Sequence, residues 1–229
     1  MTTLLIDLGI AGIVVFCAWR GYRNGLIRGA FGIVTLVASL FLANIAATAY
    51  SEEFTGMLKP FVGGVVETAI AEINEKGIEY ESVEHEQNPE EFQTAYTALR
   101  HIGLPAPAAF RVAERAVERD SDDLIADKVA DELSGVLAYV AVLGIAFVLV
   151  AIVFAVIGNL IGFVFSLPGL KLLDIIAGVI FGFAKGLLIV LTLAAIVRYV
   201  GLLALDTLEG TRLLNYLVNN NFVADMLGI

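Results

Sequence analysis

VLAYVAVLGIAFVLVAIVFAVIGNLIGFVF, residues 136–165, carries no charged side chain and decides the fold class. As a helix it would reach about 45 Å, against a hydrocarbon core of roughly 30 Å. Such a run either tilts in a bilayer or projects at one end. Three more apolar stretches flank it: Leu4–Trp19, Ala30–Tyr50 and one from about Ile175 to Leu205. The chain has 229 residues, 59% hydrophobic and only 17% charged. Soluble domains run nearer half apolar and a quarter charged, so lipid must cover part of this surface.

The formal net charge is −10, and its distribution is uneven. Residues 51–135 hold 19 acidic and 7 basic side chains, while the rest holds 5 acidic and 7 basic. The apolar parts are therefore slightly basic and one insert carries the acid. That pattern argues against a nucleic-acid partner, which needs a basic footprint. The single cysteine, Cys17, allows no intrachain disulfide and no cysteine-based metal site. Phe16 before it rules out a lipobox. Arg20, Arg23 and Arg28 follow the first apolar run instead of preceding it, which is not the order of a cleavable signal peptide.

Those three arginines orient the chain. They form a short basic connection between the first two spans, and positive connections stay inside. The expectation is a multi-pass protein of the cell (cytoplasmic) membrane with both termini outside. About four helices cross: one hairpin in residues 1–50 (spans about 4–19 and 30–50) and a second in residues 136–205 (spans about 136–165 and 175–205). Residues 51–135 form an extracytoplasmic acidic helical insert, and 206–229 an extracytoplasmic tail. The Ser166–Leu173 hinge with Lys171 would lie inside, and Trp19 and Tyr22 would sit in the inner interfacial belt.

The insert reads as helices. Val62, Val65, Val66, Ala69, Ile70 and Ile73 form one apolar stripe, begun after Pro60 and ended by Gly77. Residues 79–91 form an acidic loop. Pro89 opens a short helix to His101, which Gly103-Leu-Pro105 breaks. Phe110, Ala113 and Val117 mark another helix. Asp122 and Asp123 start one that runs through Ile125, Val129 and Leu133 into the third span. No strand alternation is visible, and the class is all-α.

Gly21, Gly25 and Gly29 are spaced by four, as are Gly178, Gly182 and Gly186. Small residues at that spacing let helices approach closely in lipid, so both runs are read as packing faces, within the chain or in a homo-oligomer. The runs also match each other: Arg28 pairs with Lys185, and Thr35 with Thr192, at one offset. This implies a weak internal repeat of two hairpins in parallel orientation. Lys185 and Arg198 lie about 20 Å apart along the fourth stretch, each about 5 Å inside an interface, within snorkelling reach. With Asp7, Arg20, Arg23, Arg28 and Asp174 they make up the charged membrane-edge residues. Val190 is read as lipid-facing.

No HExxH, GxSxG or intramembrane Gly-x-Gly-Asp pattern occurs. His85 stands among Glu81, Glu84 and Glu86, where a solvated acidic loop is the favoured reading over a cation site. No catalytic residue, metal site or cofactor is expected. Two functions remain. One is a non-enzymatic protein with a partner-binding outer region. The other is a small oligomeric transporter or channel, built on the glycine faces.

Two blocks carry a family likeness. The first runs from Leu5-Ile-Asp-Leu8 through Arg20-Gly-Tyr-Arg-Asn-Gly-Leu-Ile-Arg28 into the second span. The second is Leu173-Asp-Ile-Ile-Ala-Gly-Val-Ile-Phe-Gly-Phe-Ala-Lys-Gly-Leu187. Together they resemble the colicin V production protein (CvpA) family. That family shows an early Asp, a basic Arg-Gly-aromatic turn, and later an Asp or Asn before Gly-x-x-x-Gly-x-x-Arg/Lys-Gly. Gly29 and Ile175 stand where it usually has an acidic and a basic residue. The resemblance implies a bacterial cytoplasmic-membrane protein linked to toxin (colicin V) production or export and to envelope homeostasis. Related four-helix units fused to extracytoplasmic serine proteases imply a role as anchor or extracytoplasmic partner.

Overall fold

The computed structural model describes residues 2–78, 88–119, 121–161, 171–200 and 210–228. The acidic loop around His85, most of the Ser166–Leu173 hinge and the end of the fourth stretch lie outside the described residues. Every described element is a helix: α1 (Thr2–Lys76), α2 (Pro89–His101), α3 (Ala106–Glu118), α4 (Ile125–Ile161), α5 (Lys171–Val200), α6 (Arg212–Asn219) and α7 (Phe222–Leu227). Three of them, α1, α4 and α5, are long and apolar enough to cross a membrane.

Helix α1 is two limbs joined at Gly25, whose φ of 75° and ψ of −177° leave helical space. The contacts with α5 show the two limbs running in opposite directions. In the first limb, Val14, Cys17 and Gly21 meet Gly186, Gly182 and Gly178, an antiparallel register. In the second, Leu26, Gly29 and Gly32 meet Asp174, Phe181 and Lys185, a parallel one. The basic connection read over residues 20–29 is therefore helical up to a one-residue reversal. Only glycine adopts φ near 75° with extended ψ at little cost, so the turn needs no loop.

The second limb continues unbroken from residue 26 to 76, through Pro60. Pro60 removes one intrahelical hydrogen bond, a cost that packing on α4 outweighs here. The two helices run antiparallel. Phe31 lies at Gly158, the Tyr139 hydroxyl donates to Asn44 Oδ1 at 2.5 Å, and Lys59 pairs with Asp131 at 2.5 Å. The boundary read at 50 is thus not a break, and at 135 the helix runs on into the third span as expected: both helices pass from the apolar layer into the acidic region as single rods.

There α2 and α3 pack across the rods. Phe92, Leu99, Val112 and Ala113 join Val66, Val129 and Leu133 in one buried cluster. Phe92 lies edge-on to Phe110 at 5.3 Å. Along the stripe read from residue 62, the buried members are Val62, Val66, Ala69 and Ile73, while Val65 is exposed. Along the first limb and toward the reversal the surface changes character: Leu4, Leu8, Phe16, Val34, Phe41, Ile145, Ile152 and Ile180 are all exposed. A soluble protein rarely shows so large an apolar surface, and lipid accounts for it. Val190, read as lipid-facing, is 3% exposed and belongs to the core.

Candidate functional site

The six repeated glycines are all buried and meet in one seam between α1 and α5. A Cβ on Gly21 would run into the Gly178 carbonyl and lie 2.8 Å from the Gly182 Cα. One on Gly178 would run into the Gly21 carbonyl and lie 3.0 Å from the Gly25 Cα. At Gly182 it would meet the Cys17 carbonyl and the Gly21 Cα, at Gly186 the Val14 Cα, and at Gly29 the Phe181 Cβ at 2.9 Å. Backbone thus touches backbone, which any side chain would prevent. Both faces are spent on each other inside one chain. Gly25 forms the reversal, whereas its sequence match Gly182 is inside an uninterrupted helix.

Two carboxylates pin the hairpin at opposite ends. Asp174 Oδ1 accepts from the Leu26 N–H at 2.7 Å, the first donor after the break. A helix start leaves its N–H groups without intrahelical partners and carries partial positive charge, so an anion stabilises it twice over. At the other end Asp7 accepts from Arg212 N–H at 3.1 Å and Leu213 N–H at 3.2 Å, capping α6 from the first limb. Both aspartates therefore bind backbone.

The other charges divide. Arg20, Arg23 and Arg28 are exposed near the reversal, with the Arg23 guanidinium 5.4 Å from the Trp19 ring centre. Lys185 is half-buried, its amine against Gly32 of the second limb. Arg198 departs from the snorkelling reading. It is 2% exposed, the largest fully buried side chain among the described residues. The reason is the C-terminal segment. The sequence predicts a tail over residues 206–229, but α6 and α7 fold back over the end of α5. Asn221 donates to the Leu191 carbonyl at 2.8 Å and caps α7 through Val223 N–H and Ala224 N–H. Helix α3 closes the same place: Arg111 pairs with Asp225, and Arg115 donates to the Gly228 carbonyl and pairs with Glu132 at 3.3 Å.

Sequence reasoning missed Arg111, Arg115, Asn221 and Asp225. A signal was present: Arg111 and Arg115 are one helical turn apart within an acidic region, and Leu214, Leu217 and Val218 have helical spacing.

Apolar helices, a glycine-packed hairpin and a helical head on continuous rods define a helical membrane protein. Residues 108–221 match the family model of the colicin V production protein, and over that stretch the chain belongs to this family. The match takes in the second block, Leu173–Leu187, and begins within α3; the first block lies outside it. No curated protein and no solved structure matches the chain.

Proposed function

We propose that this is a non-enzymatic, CvpA-type protein of the cytoplasmic membrane that presents its acidic helical head to an extracytoplasmic partner, in support of toxin (colicin V) production or export and of envelope homeostasis. One observation carries the reading. The second limb of α1 and α4 leave the apolar layer as unbroken helices and carry α2 and α3 packed on them. A head built on such rods stays fixed relative to the bilayer, which suits docking better than turnover. Four crossings follow if each limb of α1 passes the bilayer once. The exposed arginines and aromatics at the reversal then mark the cytoplasmic face, leaving the head and both termini outside.

Crosslinking from the head tests this. A photoreactive residue at exposed Glu118 should trap a discrete extracytoplasmic protein in intact cells. Capture of nothing, in cells that produce the protein at normal levels, would remove the partner reading.

The transporter or channel reading keeps one observation in its favour, the Lys185 amine set between α5 and Gly32 of the second limb. The glycine faces are already occupied within the chain, so an oligomer would have to use another surface. Ion flux into liposomes that depends on Lys185 would favour it.

A further inference from the structure

Among the described residues Arg198 is a buried cation with no hydrogen-bonded anion. Its Nε and Nη2 have no hydrogen-bond partner among them and no contact with solvent. The Tyr199 ring, 5.7 Å from the guanidinium carbon, supplies a weak attraction only. The nearby carboxylate, Asp225, is engaged by Arg111. Glu132 is engaged by Arg115. A buried, unpaired charge is among the most costly features a fold can hold.

The two unpartnered nitrogens form one edge of the guanidinium plane. Their N–H bonds point the same way, in the fork that receives two oxygens of a single oxyanion. Arg111 and Arg115, from α3, bring two further guanidinium groups to the same junction, beside Asp225 and the Gly228 carbonyl of the C-terminal segment. The position along the membrane also matters. Arg198 lies about 36 Å along α5 from Asp174 at helical rise. Asp174 is bonded to Leu26 at the reversal end, so Arg198 stands near the far edge of a hydrocarbon layer roughly 30 Å thick. Phosphate groups lie at that level.

We propose that Arg198 forms a phosphate-binding site at the junction of α3, α5 and α7, with the paired Arg111 and Arg115 adding positive charge nearby, filled by a lipid headgroup phosphate or by free phosphate. The Nε–Nη2 edge takes two phosphate oxygens. The C-terminal helices close the site, held by the Asn221 bond to α5 and the arginine contacts from α3. Access needs α6 and α7 to lift from α3, α5 and the first limb, which leaves the glycine seam untouched.

The test uses full-length protein in phosphate-free maltoside detergent micelles, with thermal unfolding as readout. One arm adds inorganic phosphate; the other adds phosphatidylglycerol to the micelles. The unmodified chain should melt about 5 °C higher in at least one arm once ligand exceeds its dissociation constant by roughly a hundredfold. A rise in the first arm assigns free phosphate; a rise only in the second assigns a lipid headgroup. R198M removes an unpartnered charge, so it should fold and show no rise. R198K keeps the charge but loses the fork and should lose at least half the rise, which reads the same contact if R198M is unstable. R23Q, at the opposite end, should respond like the unmodified chain. A full rise in R198M or R198K, or no rise in either arm for the unmodified chain, overturns the proposal.

Discussion

Asp174 and Gly25 act as one unit at the reversal. The glycine conformation turns the chain, and the carboxylate receives the N–H that the turn exposes. Asp174→Ala leaves that donor unpaired among packed helices and should cost about 1–3 kcal/mol. Asp174→Asn keeps an acceptor and should cost less. Thermal unfolding in detergent orders the three proteins, and equal melting temperatures would remove the capping role. Gly25→Ala should be worse than either, because its Cβ would meet both Asp174 carboxylate oxygens at an unfavourable φ. Lys185 is a contrasting case. It lies against Gly32 and stays half-exposed, so its charge should be tolerated without being required. Lys185→Met should insert normally and keep most of its complementing activity, and Lys185→Arg should be silent. A well-inserted, wholly inactive Lys185→Met protein would promote the transporter reading.

At the level of elements, the seam between α1 and α5 sets how near two helices come. Gly182→Leu forces the backbones apart, since its Cβ would lie 2.9 Å from the Gly21 Cα before the rest of the side chain is counted. It should lower yield and broaden the size-exclusion peak. The control is Gly12→Leu on the first limb, where nothing lies within 4 Å. Val190 is unsuitable as a control, being core. Similar profiles for the two leucine variants would mean that the seam does not hold the hairpin. Helix α6 depends on a single cap from another element. Asp7→Ala removes the acceptor for two N–H groups and should loosen α6 by about 0.5–2 kcal/mol. Hydrogen exchange would show faster amide exchange in residues 212–219 and none at Leu26.

For the whole molecule, the contacts place the N-terminus, the acidic head and the C-terminal helices at one end of the bundle. Asp7 reaches α6, Thr3 lies at Gly210, and α3 reaches α7. Whatever side that end faces, these segments face it together. In a Cys17→Ala background, single cysteines at Glu118 and Met226 should both react with an impermeant maleimide in whole cells. Labelling of one but not the other would contradict the fold itself. Labelling of both only after lysis would keep the fold and invert its orientation.

Much of this was legible in the sequence because it depends on local pattern. The length of an uncharged run reports a membrane helix whatever surrounds it. Pro89, Gly103 and Pro105 bound α2 and α3, since backbone restrictions act residue by residue. Spacing by four flagged the glycines for close packing. Pattern alone did not reveal that the two runs would meet each other, because a packing face does not name its partner. It placed a loop around Gly25 and a helix start after Pro60, where tertiary contacts carry the helix up to the first and through the second. It left Arg198 free to snorkel because helical position gives depth but not cover. Cover came from α6, α7 and α3, brought there by bonds between residues far apart in sequence: Asp7 with Arg212 and Leu213, Asn221 with Leu191, and Arg111 with Asp225. Depth is a property of one helix and can be read along the chain. Burial is a property of several helices at once and exists only when the chain has folded.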